Sequence, residues 1–348
     1  MSAWAEQDIL ELVCARKWME TPDCVSFELA SPDTVAFDFK PGQFASLGFE
    51  IGGQTVFRAY SISSMPTQSV LQFTVKRVAG GQVSSTHVVE TLKAGDVIRV
   101  MKPQGQFNTV DCPPREKVVL ISAGCGITPV MSMARTWLAQ GNVAIDFLHV
   151  ARSLSETIYA RELQQLAAAY PQFHLKLLLK DASGTEHAQG RLDQAGLQHL
   201  IPDLHQRTVY LCGPVGFMQD VERYLQALDF DMQHFYQESF TPVYQESLTS
   251  AVTEPVPVGN SSVRVRVAAF DATIDAPSES LLLEALETDQ LPIIAACRSG
   301  ICGSCKCRVT SGTVRSHSQD TLTADEIAQG YVLACSTVIE SDVDVALN

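Results

Sequence analysis

Four cysteines fall within residues 297 to 307, CRSGICGSCKC, and three of them, Cys297, Cys302 and Cys305, are spaced C-x4-C-x2-C; Cys335 follows after 29 intervening residues. This feature limits the fold most tightly, because thiolates that converge on one inorganic group force the backbone to wrap it closely. Gly300 and Gly303 permit such turns and let N–H groups face sulfur. The spacing is that of a plant-type [2Fe-2S] centre, with Cys297, Cys302, Cys305 and Cys335 as its ligands. Two other readings stay open. A structural zinc site wants two C-x2-C pairs, and only Cys302 and Cys305 form one; a dithiol redox motif usually opens a helix after a strand rather than sitting in a glycine loop. Cys307 alternates with Lys306 and Arg308 in an emerging strand and is expected to turn inward as a small core residue.

Composition narrows what can surround such a centre. At 348 residues the chain is too long for one ordinary core, so two or three domains are expected. A formal charge of -14 argues against binding a phosphate backbone, which needs clustered Lys and Arg, so nucleic acid is excluded as a partner. The first residues, MSAWAEQDILELVCARKW, are acidic where a secretory leader is basic. No run of about 18 uncharged apolar residues occurs. The expectation is a soluble, cytoplasmic protein with no membrane association. Cys14, Cys24, Cys112, Cys125 and Cys212 are scattered singly, which favours free thiols there.

The chain reads as three domains and a linker. Residues 8–111 carry short strands between turn signals (SLGFEIGG, TVFRAYSIS, SVLQFTVKRV), the pattern of an antiparallel β-barrel. From 112 to 240 strands and helices alternate (KVVLIS, TPVMSMARTWLAQ, VAIDFLHV and onward), which predicts a doubly wound α/β domain with a parallel sheet. Residues 241–260 have three prolines and no period and read as a linker. The last domain, 261–348, combines an alternating strand VRVRVAAF, a helix SLLLEALETD, the cysteine loop and closing strands.

Several short motifs mark binding positions. Arg58-Ala59-Tyr60-Ser61 alternates along a strand, which puts Arg58 and Tyr60 on one face and Ala59 and Ser61 on the other. Gly81-Gln82-Val83-Ser84 precedes a helix and is a second candidate phosphate cradle. Between a strand and a helix lies Ser122-Ala-Gly-Cys-Gly-Ile-Thr-Pro129, where Gly124 and Gly126 let backbone approach a pyrophosphate, Thr128 offers a hydroxyl, and Pro129 suits the first helical position. Cys212-Gly213-Pro214 ends another strand of that sheet and falls at its ligand-binding carboxyl edge.

The order of these motifs, with Gly105 to Phe107 and the four cysteines, resembles the ferredoxin-NAD(P)+ reductase family with a plant-type ferredoxin fused at the C-terminus. Within it, RAYSISS, AGCGITPVMSM and LLEALETDQLPIIAACRSGICGSCK resemble the NADH oxidoreductases that reduce the hybrid-cluster protein. The resemblance implies a β-grasp (α+β) ferredoxin domain and an enzyme that uses FAD, NADH and a [2Fe-2S] cluster. It implies that Arg58 meets the FAD pyrophosphate, with Ala59 beside it, that Tyr60 packs on the flavin, and that Ser61 approaches its N5. Gly81, Gln82, Val83 and Ser84 would hold the FAD pyrophosphate, Gly124, Gly126 and Thr128 the NADH phosphates, and Cys212, with Gly213 and Pro214, the nicotinamide edge. Phe240 resembles the aromatic that covers the flavin face, so Ser61, Cys212 and Phe240 are the expected catalytic residues.

Electron counting sets the expected sequence. NADH gives two electrons together and an iron-sulfur cluster takes one, so a flavin must stand between them. Arg152 and Ser153 could face a 2'-phosphate, yet the next helix supplies only Tyr159 and Arg161 in support, which favours NADH over NADPH. The expected partner is a protein electron acceptor, the hybrid-cluster protein, with the oxygenase component of a ring-hydroxylating or similar system as the alternative. Residues 263 to 348 hold twelve Asp or Glu against six Lys or Arg, which suits a basic partner surface. A non-catalytic redox sensor would need an interaction module that is not seen, and the hydrolase signatures G-x-S-x-G and H-E-x-x-H are absent.

Overall fold

The computed structural model describes residues 4, 9–31, 37–66, 68–77, 83–240, 262–289, 291–295, 297–298, 300–319 and 321–347. Gly81 and Gln82 and the expected linker at 241–260 lie outside the described residues. The chain divides into two units, Met1–Phe240 and Thr241–Asn348.

The first unit opens with an antiparallel sheet of β1 (Ile9–Thr21), β2 (Cys24–Ala30), β3 (Phe44–Ile51), β4 (Gln54–Ser61), β5 (Val70–Lys76) and β6 (Val97–Met101), in the order β4-β3-β6-β1-β2-β5. The two outer strands β4 and β5 come back alongside one another, so the sheet curls towards a barrel around Phe27, Leu47, Phe49, Leu71 and Phe73. Helix α1 (Val83–Glu90) covers one end and contributes Val88 to that core.

A parallel sheet follows, built from β7 (Lys117–Ala123), β8 (Ala144–Ala151), β9 (Phe173–Leu179), β10 (Ala188–Gln189), β11 (Thr208–Cys212) and β12 (Phe235–Glu238) in the order β10-β9-β8-β7-β11-β12. Its central strands β7, β8 and β11 are mostly apolar because both faces are covered. Helices α2 (Ile127–Gln140) and α3 (Ala160–Ala169) pack on one face; α4 (Gln194–Leu200) and α5 (Val215–Ala227) pack on the other. Strand order reverses between β7 and β11, and the crevice beyond their carboxyl ends is where such sheets bind ligands.

Barrel and nucleotide modules are locked together just past β4. The guanidinium of Arg135 in α2 donates to the Ser63 carbonyl while paired with Glu162, and Ser132 Oγ donates to the Ser64 carbonyl at 2.7 Å. Tyr159, a possible nucleotide contact on sequence grounds, is instead buried, with its hydroxyl on Thr74 of β5.

The second unit is a five-stranded mixed sheet of β13 (Ser262–Val267), β14 (Ala272–Pro277), β15 (Lys306–Ser311), β17 (Tyr331–Leu333) and β19 (Val343–Leu347), with a two-stranded ribbon of β16 (Val314–Ser316) and β18 (Thr337–Ile339). Its first and last strands pair in parallel, and the helix Leu282–Thr288 buries Leu282, Leu283 and Leu286 against them. Thus an antiparallel FAD-type sheet, a parallel nucleotide sheet and an α+β ferredoxin domain are all present. Among the described residues no helix is long and apolar enough to cross a membrane.

Candidate functional site

The switch point of the parallel sheet brings two predicted motifs into contact. Gly124–Gly126 forms a 3-10 turn after β7, and Gly124 takes a left-handed φ of +56° that a side chain would strain. A Cβ on Gly126 would lie 2.1 Å from the Cys212 carbonyl oxygen and 2.6 Å from the Gly213 nitrogen. The neighbouring loop alone therefore requires glycine at 126. The turn runs straight into α2, which begins at Ile127, so Pro129 is the third helical residue and not the first as expected; the first-turn N–H groups lack intrahelical partners, so proline is still accommodated. Thr128 is buried and its hydroxyl donates to the Cys125 carbonyl at 2.9 Å. Pro214 caps α5 in an extended conformation.

One row of polar side chains crosses four strands at this edge. Glu238 of β12 is in register with Cys212 of β11, Cys212 with Ser122 of β7, and Ser122 with His149 of β8. Cys212 is fully buried, and burial, reinforced by Glu238 and Cys125, holds its thiol well above the ordinary range. Glu238 is 8% exposed and burial pushes its carboxyl up to about 8, so it is a neutral acid over much of the neutral range. Ser122 Oγ and His149 Nδ1 are 2.8 Å apart, and burial lowers the imidazole to about 3, keeping it neutral. Glu238 Oε2 and His149 Nε2 have no hydrogen-bond partner among the described residues. Sequence reasoning singled out Cys212 of this row and placed Ser122 at the head of the glycine turn; it gave Glu238 and His149 no role, because His149 sits in an apolar run and β12 is too short to announce itself.

On the barrel side, Arg58, Ala59 and Tyr60 lie on the outer strand β4, partly exposed, with the Tyr60 ring edge-on to Phe49 at 6.2 Å. Ser61 ends that strand, buried, and its Oγ also lacks a partner among the described residues. A buried hydroxyl left unsatisfied costs about 1–3 kcal/mol unless a ligand completes it. Val83 and Ser84 begin the backbone of α1. Phe240 lies two residues past β12 and is 46% exposed, so it is not packed into a core.

In the second unit, Cys302, Cys305 and Cys335 are buried and Cys297 is partly exposed. Their thiols hydrogen-bond as Cys297 with Cys302 and Cys305 with Cys335, with a further bond between Cys297 and Cys335. The Gly300 N–H points at Cys335 Sγ (3.2 Å) and the Cys335 N–H at Cys305 Sγ (3.5 Å). Gly300 is held at φ +76°, where a Cβ would lie 2.6 Å from Ser318 Cβ. Cys335 is not in a strand as its sequence suggested: β17 stops at Leu333 and Cys335 occupies the 3-10 turn Ala334–Ser336, which swings the thiol toward Cys305. Among the described residues no three side chains converge on one metal ion. Two pairs of thiols are what a two-iron centre needs, two on each iron, so the quartet fits a [2Fe-2S] group better than zinc. Cys307 is fully buried in the core and burial pushes its thiol up to about 12, leaving it an inert thiol.

Comparison with known proteins agrees with these modules. Residues 13–109 match an oxidoreductase FAD-binding domain, 120–223 an oxidoreductase NAD-binding domain, and 265–340 a 2Fe-2S iron-sulfur cluster binding domain. The chain is 36% identical to the glycine betaine monooxygenase reductase subunit of Pseudomonas aeruginosa over 95% of its own length and 93% of that protein. It is also 36% identical to the NADH oxidoreductase HCR of Escherichia coli, covering 94% of each. In fold it is similar to phthalate dioxygenase reductase, with a TM-score of 0.66 at 23% identity, over 97% of this chain and 98% of that one. FAD and a 2Fe-2S cluster supply, when bound, the passage from two-electron to one-electron transfer. The chain belongs to the oxidoreductases that join FAD-binding and NAD-binding domains to a C-terminal 2Fe-2S ferredoxin domain and move electrons from NAD(P)H through FAD to the iron-sulfur centre.

Proposed function

We propose that this chain is the NADH-dependent reductase component of a multicomponent oxygenase. The observation that carries the reading is the alignment, over nearly the whole of both chains, with a monooxygenase reductase subunit, in which all three modules are in the same order. Oxygenase reductase components recur among the relatives, for glycine betaine and for 3-ketosteroids. Reduction of the hybrid-cluster protein, the partner expected from the sequence, is the second reading; it draws on the likeness to the Escherichia coli NADH oxidoreductase.

In this reading Arg58 neutralises an FAD phosphate, Tyr60 packs on the flavin, and Ser61 presents its unpartnered hydroxyl to the ring. The Gly124–Gly126 turn and Gly213 hold the dinucleotide phosphates, while Cys212 and Glu238, both uncharged at neutral pH, give the nicotinamide a buried edge of low polarity. Half-exposed Phe240 is free to cover the flavin face. Cys297, Cys302, Cys305 and Cys335 hold the cluster. Preference for NADH has a local cause: past β8, Arg152 Nη1 is paired with Glu156 Oε1 at 3.2 Å, and Ser153 Oγ lies 3.4 Å from Glu156 Oε2. The Glu156 carboxylate occupies the cation that a 2'-phosphate would need and repels that phosphate.

The test is a comparison of acceptors. The holoenzyme with NADH should reduce the terminal component of a cognate monooxygenase with a kcat/KM well above that for hybrid-cluster protein; the opposite ranking sinks the proposal.

A further inference from the structure

In the second unit a circuit of hydrogen bonds closes on Cys335 through residues that carry no thiol. The Gly300 N–H donates to Cys335 Sγ at 3.2 Å, and the Gly300 carbonyl accepts from Ser318 Oγ at 2.7 Å. The Ser318 carbonyl in turn accepts from Ser336 Oγ at 3.3 Å, and Ser336 is the residue after Cys335. The antiparallel ribbon of β16 and β18 sets this register: Ser316 pairs with Thr337, and just past that pair the His317 N–H donates to the Ser336 carbonyl at 2.8 Å. Gly300, Ser318 and Ser336 are all buried. The two loops are packed together as well as bonded, since a Cβ on Gly300 would also fall 3.0 Å from Ser318 Oγ and 3.0 Å from Ser336 Cβ.

We propose that Ser318 is a positioning residue for the iron-sulfur centre: its hydroxyl fixes Gly300 so that the Gly300 N–H stays on Cys335 Sγ, and this raises the reduction potential of the cluster. The inference rests on Cys335 as a cluster ligand. A ligating cysteine is a thiolate, and an N–H donated to a thiolate is a charge-assisted bond. Reduction adds one negative charge to the centre, so a donor aimed at a ligand sulfur stabilises the reduced form more than the oxidised one. Ser318 acts on the sulfur through Gly300, eighteen residues before it in the chain.

The geometry gives the effect its direction. Arg298, two residues before Gly300, has a left-handed φ of +57°, a conformation that costs a non-glycine residue energy and persists only where its surroundings hold it. The loop therefore depends on its anchors. Without the Ser318 hydroxyl the buried Gly300 carbonyl loses this donor; because a buried carbonyl without a partner is costly, the loop turns toward another donor and draws the Gly300 N–H away from Cys335. Loss of about one charge-assisted hydrogen bond from the reduced form corresponds to about a tenfold smaller equilibrium constant for reduction, which is about 59 mV for a one-electron couple.

Redox titration of the holoenzyme tests this, with the flavin potential as an internal reference and with iron and acid-labile sulfide measured on each preparation. Ser318→Ala should keep its iron and sulfide, lower the equilibrium constant for cluster reduction about tenfold, read as a fall of about 59 mV, and leave the flavin potential where it is. A fully loaded Ser318→Ala whose cluster potential is unchanged or higher overturns the proposal. Should that variant lose its iron, the same titration of Ser336→Ala, which opens the circuit one bond further from Gly300, decides: a smaller fall in the cluster potential supports the proposal, and an unchanged or higher value overturns it. Wild-type protein without iron or acid-labile sulfide overturns the reading of Cys335 as a ligand, and this inference with it.

Discussion

At the carboxyl edge of the parallel sheet, buried polar atoms on Glu238 and His149 have no partner among the described residues, whereas in the ferredoxin module the cysteine sulfurs bond to one another and to backbone N–H groups. The first site is a frame whose buried polar atoms are left open. The second is a set of mutually dependent groups. From this difference follows an asymmetry in how each should fail: loss of one thiol removes the whole centre, while changes at the sheet edge should be graded.

The sharpest way to break the comparison is Cys305→Ser. Iron and acid-labile sulfide should fall close to zero, while flavin bleaching by NADH in stopped flow keeps its rate; retained iron would mean that the thiols are not interdependent. Next comes Gly126→Ala. Its Cβ must push into the Cys212 carbonyl at 2.1 Å, so we expect about 1–3 kcal/mol of destabilisation, read by thermal melting, with weaker NADH binding. Gly124→Ala has open space and meets only the left-handed strain, and should cost less, on the order of 1 kcal/mol.

A smaller effect comes from Glu238. Its folded value of about 8 lies above the ordinary carboxyl value, so the native state holds a proton that the unfolded chain gives up. The stability this confers is complete below the ordinary carboxyl range and is lost as pH rises through about 8. Glu238→Gln should therefore gain on the wild type by about 1 kcal/mol or more near pH 9 and show little advantage at pH 5, in melts at the two pH values. The smallest change expected is Glu156→Gln, which frees Arg152 and should raise kcat/KM for NADPH by about tenfold or less, with NADH nearly unaffected.

What could be read in the chain divides along the same line. Cys297, Cys302 and Cys305 announce a cluster because their spacing is local, and the alternating strands and helices announce a parallel sheet because periodicity is local. Contacts across the sheet are not. Gly126 looked like a pyrophosphate glycine, and its closest constraint is a peptide from a strand nearly ninety residues away in the chain. Glu238 is a lone acid in a four-residue strand, and only the register with Cys212 gives it meaning. The turn that swings Cys335 out of its strand depends on the Cys305 carbonyl, which accepts from the Ala334 N–H at 3.2 Å.

The contact between Gly126 and the Cys212–Gly213 peptide also bears on how such reductases can diverge. An added carbon on Gly126 would meet the Cys212 carbonyl at 2.1 Å and one on Gly213 the Phe217 ring at 2.9 Å, so variation at those two positions is closed off; the segment after β8, where Arg152 and Glu156 pair on the surface, has room to change. Selection can thus alter which coenzyme is chosen without altering where it is seated.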